Sequence, residues 1–96
     1  MIYKILKEVL LVCCVAFETD IGAVLSKKRK AELVHTRLAF ITIIKEKFNF
    51  SNHQIGKFLN MTDAAVGFYM AKSETNKWFL MMIREIRKNL KDDYII

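Results

Sequence analysis

Residues 54–71, QIGKFLNMTDAAVGFYMA, decide how this chain reads. Ile55 and Leu59 stand four apart and share one face of a short helix. Gly56 is a small residue that lets a second helix approach closely. Asn60 falls at the bend, where a left-handed backbone is needed and Asn tolerates it. Thr62 can cap the helix that follows, because its hydroxyl accepts an orphan backbone N–H. Val66 and Tyr69 supply that second helix's inward face. A small residue at 56, a turn residue at 60 and a β-branched residue at 66 are what two crossed helices joined by a tight turn require. The spacing predicts a helix-turn-helix over residues 52–72, a unit that commonly lays its second helix in the major groove of DNA. An ordinary helical hairpin is the plainer alternative.

Working outward, the rest of the chain also reads as helix. The 96 residues make one domain, 1–96, and 53% of them are hydrophobic, enough for a modest core. There is no Pro and only three Gly. No run alternates apolar and polar residues between turn signals, so no sheet is expected. The fold class is all-α, a compact five-helix domain containing the helix-turn-helix.

Ile2, Ile5, Leu6, Val9, Leu10, Cys13, Ala16 and Phe17 recur at helical spacing. Leu11, Val12, Cys14 and Val15 make the second half of that helix apolar all round, as in a helix that meets a partner or, the reading favoured here, a central core helix. Gly22 breaks the pattern, with one short helical turn in residues 19–25. A long helix then runs from about Ala31 to Phe48. Ser51 or Asn52 caps the next one, which ends near Leu59. The second helix of the pair continues to about Lys72, and Asn76 marks another break. The last helix carries Trp78, Phe79, Met82, Ile83, Ile86 and Leu90 on one side, and residues 92–96 are expected to fray. The core should contain Leu6, Val9, Leu10, Cys13, Phe17, Leu25, Leu33, Leu38, Ile41, Ile44, Phe48, Ile55, Leu59, Val66 and Tyr69. Trp78 either caps this core or serves a dimer contact.

Most of the net charge of +6 sits in residues 26–48, where Lys27, Lys28, Arg29 and Lys30 follow one another. A concentrated positive segment favours an anionic partner, and beside a helix-turn-helix it points to nucleic acid. Catalysis has little to stand on. His35 and His53 have no Cys or paired Asp at ligand spacing, and Glu32 and Glu46 suit neighbouring lysines. There is no phosphate loop, nucleophile motif or metal spacing, so no enzyme activity, metal or cofactor is expected. Cys13 and Cys14 are adjacent, which excludes a disulfide framework and fits a reducing cytoplasm. The apolar run VLLVCCVAF after Lys4 and Lys7 is too short to span a bilayer and lacks a cleavage site, so no membrane association is expected.

On the front of the second helix, residues 62–68 present Thr62, Asp63, Ala64, Gly67 and Phe68. Base readout wants Arg, Lys, Asn or Gln there. Thr62 can bond a phosphate or a base edge, and Ala64 or Ala65 can touch a thymine methyl. Backbone contacts are better supplied, by Lys27, Lys28, Arg29 and Lys30 before the long helix and by Lys57 and Lys72 flanking the helix-turn-helix. The chain is better equipped to hold DNA than to read it.

Residues 9–72 also resemble a known family. The matching pieces run in order. A helix ends with Val12-Cys13 and Phe17, and Val24-Leu25-Ser26-Lys27-Lys28-Arg29-Lys30 closes a short helical turn. Glu32-Leu33-Val34 follows with Arg37 three residues on, and then Gln54-Ile55-Gly56-Lys57-Phe58-Leu59. These resemble the C-terminal DNA-binding domain of the bacterial replication initiator DnaA, with its "LLSK" segment, basic loop, long central helix and "EIG" helix. The resemblance implies an all-helical fold that sets the helix-turn-helix in the major groove of a short duplex site. It implies that Arg29 or Lys28 enters the neighbouring minor groove and that Arg37 contacts the backbone. The family opens its recognition helix with Arg-Asp-His-(Ser/Thr)-Thr-Val. This chain has Met61-Thr62-Asp63-Ala64-Ala65-Val66, keeping the packing Val and replacing the base-reading residues. The initiator's ATPase domain has no counterpart here, so origin opening is not expected. The resemblance suggests a small free-standing protein of a phage or mobile element.

Two functions remain open at this level. One is a DNA-binding module for duplex DNA, backbone-dominated and with weak or altered sequence preference, in replication or transcription control. The other is a protein-interaction module that kept the fold and meets a partner through Met61 and Phe68. The first requires the basic loop and the front of the second helix to share a face. The second requires Met61 and Phe68 to be exposed while the lysines point elsewhere. Oligomeric state stays open.

Overall fold

The computed structural model describes residues 2–72 and 76–90, and among these every element is helical. The order is α1 (Ile2–Phe17), α2 (Ile21–Val24), α3 (Ala31–Lys47), α4 (Asn52–Leu59), α5 (Asp63–Ala71) and α6 (Lys77–Asn89). The five long helices fall where the apolar spacing places them, and α2 is the short turn. Lys91 and residues 92–96 lie outside the described residues.

Local chemistry sets the ends. Ser51 accepts from the Gln54 N–H while the Gln54 side chain accepts from the Ser51 N–H, a capping box that starts α4. The Thr62 hydroxyl accepts from the Ala65 N–H at 3.1 Å and starts α5. The Asn76 side chain accepts from the N–H groups of Trp78 and Phe79 and starts α6. Asn60 takes φ 60° and ψ 46°. That left-handed conformation turns α4 into α5, and the Asn60 N–H still reaches the Gly56 carbonyl. Helix α1 ends at Phe17 as its apolar spacing expects, but the break after it is not made at Gly22. The chain turns at Glu18, with φ 55°, and the Thr19 N–H closes back onto the Cys14 carbonyl at 2.9 Å. That bond satisfies a carbonyl at the helix end without glycine, and Gly22 lies inside α2 instead.

The helix enclosed on all sides is α3, not α1. Every residue from Thr36 to Ile41 is buried, and α3 packs on α1, α2, α5 and α6. Helix α1 leaves Val15 77% exposed and Leu11 40% exposed, so the apolar second half of α1 is only partly covered. Its length and hydropathy made it resemble a central helix, but four neighbours fit around α3. Leu6, Val9, Leu10, Cys13, Phe17, Leu33, Leu38, Ile41, Ile44, Ile55, Leu59 and Val66 are buried as expected. Leu25, Phe48 and Tyr69 are half-buried at the core's edge. Trp78 caps the core. Its ring stands edge-on to Phe17 at 5.6 Å and to His35 at 5.3 Å. The buried hydroxyl of Thr36 donates to the Glu32 carbonyl at 2.7 Å.

Two features of this packing invite direct measurement. A Cβ at Gly56 would stand 2.6 Å from the Met61 carbonyl oxygen and 3.4 Å from Val66, so only Gly lets α4 meet the turn and α5 this closely. Gly56→Val should cost about 1–3 kcal/mol through overpacking; an unchanged Tm would contradict that close approach. The second feature joins α3 to α6. Arg87 donates through Nε and Nη2 to both carboxylate oxygens of Glu46, at 2.8 and 2.5 Å. The Arg87 hydrogen bond holds the Glu46 carboxyl below its ordinary value of 4.5 and raises the guanidinium. Because the folded Glu46 value is depressed, this stabilisation is complete above pH 4.5 and is lost as pH falls through the folded value. The pair is half-exposed, so Arg87→Ala should cost under about 1 kcal/mol at neutral pH. The difference from the parent should vanish in acid. A difference in urea midpoint that persists at low pH would assign the cost to packing of the arginine stem.

Candidate nucleic-acid interface

The basic loop is built from the inside outward. The Asp20 carboxylate accepts from the Ala23 N–H at 3.1 Å and starts α2, whose Val24 is buried. The Ser26 hydroxyl donates back to the Ala23 carbonyl at 2.6 Å and accepts from the Lys28 N–H at 3.2 Å. This ST-type turn directs residues 27–30 along the surface toward α3. Lys27, Lys28, Arg29 and Lys30 are all exposed.

Arg37 corrects the sequence-based expectation. It was expected to face a phosphate, but only 4% of it is exposed. Its Nε donates to the Val24 carbonyl at 2.8 Å, and its Nη2 donates to the carbonyls of Ser26 at 3.0 Å and Ala23 at 3.4 Å. One guanidinium therefore collects the carbonyls released at the end of α2. Its Nη1 has no hydrogen-bond partner among the described residues. The signal was present in the sequence: Arg37 lies on α3 among Leu33, Val34 and Leu38, inside an apolar stripe.

The loop is then tied to the helix-turn-helix. The Asn60 side-chain amide donates to the Leu25 carbonyl, and the Lys27 ammonium donates to the Asn60 carbonyl, each at 3.5 Å. These long bonds put the turn between α4 and α5 against the start of the basic loop. Between them lies a groove of about 590 Å³. Lys27 and Arg29 line it from the loop, Thr62, Phe68 and Tyr69 from α5, and Lys72 from the end of α5. Arg37 reaches its floor. Lys28, Lys30, Lys57 and Ala64 are exposed outside its lining. Among the described residues, none of Lys27, Lys28, Arg29, Lys30, Lys57 and Lys72 pairs with a carboxylate. The positive potential of this face is therefore not cancelled locally.

The basic loop and the front of α5 share one face, the arrangement the DNA reading required. Phe68 is 71% exposed on that same face, while Met61 is half-buried against the core. Asp63, which follows the Thr62 cap, has its carboxylate 3.2 Å from the His53 ring. Sequence reasoning missed the contacts of Asn60 with the loop, because they join residues more than thirty positions apart.

Among the described residues no group of three His, Cys, Asp or Glu could hold a metal ion. Cys13 and Cys14 are both buried, and burial pushes both thiols up, away from the reactive thiolate. No described helix is long and apolar enough to cross a membrane.

The all-helical fold of the described residues fits that of the DnaA C-terminal domain. The chain is 32% identical over 89 residues to the chromosomal replication initiator protein DnaA of Bacteroides thetaiotaomicron. That match covers 88% of this chain and 19% of the initiator, so the chain spans about one fifth of that relative's length. No family model matches the chain, and no solved structure matches it significantly.

Arg37 provides the sharpest check on how the loop is held. Arg37→Met keeps an apolar stem and leaves the carbonyls of Val24 and Ser26 without their donor. It should cost about 2–3 kcal/mol and lower the Tm by roughly 8–20 °C. A Tm equal to the parent's would mean that water replaces the guanidinium freely and that Arg37 is available to a ligand.

Proposed function

We propose that this chain is a DNA-binding module that holds duplex DNA mainly through its backbone, with weak or altered sequence preference. One observation carries the proposal. The basic loop is bonded to the helix-turn-helix turn, so Lys27 and Arg29 edge the same groove as Thr62, Phe68 and Lys72. A duplex laid on α5 would meet the loop's cations at a neighbouring groove or phosphate run. Lys27, Lys28, Arg29, Lys30, Lys57 and Lys72 are the phosphate contacts in this proposal, with Thr62 and Ala64 at the base edges. Arg37 acts chiefly by fixing the loop. Similarity to a chromosomal replication initiator supports a role in replication. A phage setting belongs to the proposal on the strength of the sequence resemblance, a cytoplasmic location on that of the free Cys13 and Cys14, and control of transcription on that of the helix-turn-helix.

The exposed Phe68 favours a second reading, a surface that meets a partner protein. Salt dependence separates the two. Each phosphate contact contributes roughly 0.9 to the slope of log K against log salt on duplex DNA. Replacing Lys27, Lys28, Arg29 and Lys30 together by Ala should flatten that slope by about 3–4 and weaken all sequences alike. Asp63→Ala removes a negative charge near the phosphates and should leave binding intact or tighten it. Loss of binding in Asp63→Ala, with normal binding by the loop variant, would make Asp63 a base reader and sink the backbone-dominated mechanism. If the parent binds no duplex at low salt, the protein-interaction reading stands instead.

A further inference from the structure

We infer that the outward face of α5 reads the 5-methyl groups of thymine by apolar contact through Phe68 and Ala64, in place of a hydrogen-bond code. This rests on the DNA-binding reading above and specifies what the site selects.

The observation is the composition of one helix face. Val66 is fully buried, and Ala64 and Phe68 stand on either side of the direction opposite to it. They are four apart and both exposed, so they form one continuous patch on the surface that would enter a groove. Gly67 and Ala71 flank them and add no polar atom. The neighbouring polar groups are engaged: Thr62 caps α5, and Asp63 sits against His53. Reading guanine or adenine in the major groove takes a donor such as Arg, Asn or Gln reaching the purine edge. The residues of α5 itself offer none. The apolar mark a base pair presents in that groove is the thymine methyl, which Ala and Phe side chains contact.

Charge selects nucleic acid over a protein as the occupant. Phe68 shares its groove with Lys27, Arg29 and Lys72, none of them paired with a carboxylate among the described residues. An apolar contact ringed by uncompensated cations matches a methyl-bearing groove between two phosphate runs. Because a thymine methyl marks one strand of its pair, such a reader would distinguish A·T from T·A and ignore the order of G and C.

The test uses one mixed-sequence duplex, rich in A·T pairs and synthesised with either thymine or uracil, which lacks only the methyl group. Binding of the full 96-residue chain would be followed by fluorescence anisotropy at two salt concentrations. The thymine duplex should bind more tightly by about fourfold for each methyl in contact. Phe68→Ala should shrink the thymine preference toward what Ala64 alone supplies, with the parent's salt slope. Phe68→Leu should keep much of the preference. Phe68 lies outside the core, so the circular dichroism melt of both variants should match the parent. Equal binding of the two duplexes by the parent overturns the methyl reading and leaves the backbone-dominated one intact. A thymine preference undiminished in Phe68→Ala also overturns it, since the methyls would then act through duplex shape. Failure to bind either duplex at low salt removes both readings together.

Discussion

A buried guanidinium holds the basic loop of this protein in place. Helix α2 is a single turn and cannot satisfy its own final carbonyls, and Arg37 reaches out of α3 to take those of Ala23, Val24 and Ser26. A buried arginine is costly unless its donors are matched to acceptors. Here two of the acceptors, the carbonyls of Val24 and Ser26, have no other donor among the described residues, so guanidinium and carbonyls offset each other's desolvation penalty. The basic loop leaves the core at Ser26, so the position of its four cations depends on this one contact. Asn60 and Lys27 then tie the loop's start to the bend of the helix-turn-helix. The groove between loop and α5 is thus defined from both sides.

The opposite wall depends on how closely α4 and α5 approach. Gly56 and the left-handed Asn60 bring the turn in tightly, and Val66 drops fully into the core behind it. With Val66 inward, helical geometry requires Ala64 and Phe68 to face out. The apolar character of the exposed face is therefore a consequence of which residue packs. The cations around it come from separate segments, residues 27–30 and Lys72, which converge only in the folded chain.

Much of the architecture was legible in the sequence because it rests on short-range rules. The helix boundaries follow from apolar spacing and from caps such as Ser51, Thr62 and Asn76, each of which acts within three residues of itself. The helix-turn-helix was legible for the same reason, since its small residue, its bend and its packing residue lie within eleven positions of one another. One local signal misled: Gly22 resembled the break after α1, but a 2.9 Å bond from Thr19 to Cys14 let Glu18 make the turn.

The sequence by itself determined the fold class, the helix ends, the bend at Asn60 and the positive charge concentrated in residues 26–48. Tertiary structure alone decided which helix is enclosed, which charges are free and which surfaces coincide. α1 and α3 are both rich in apolar residues, and only the number of neighbours around each made α3 central and left Val15 in solvent. Arg37 and Arg29 are the same residue type eight positions apart. One is buried under the carbonyls at the end of α2 and the other lies exposed in the basic loop. Hydrogen bonds between residues 33 and 35 positions apart bring that loop to the helix-turn-helix. No periodicity encodes such contacts, because they depend on how the whole chain closes on its core.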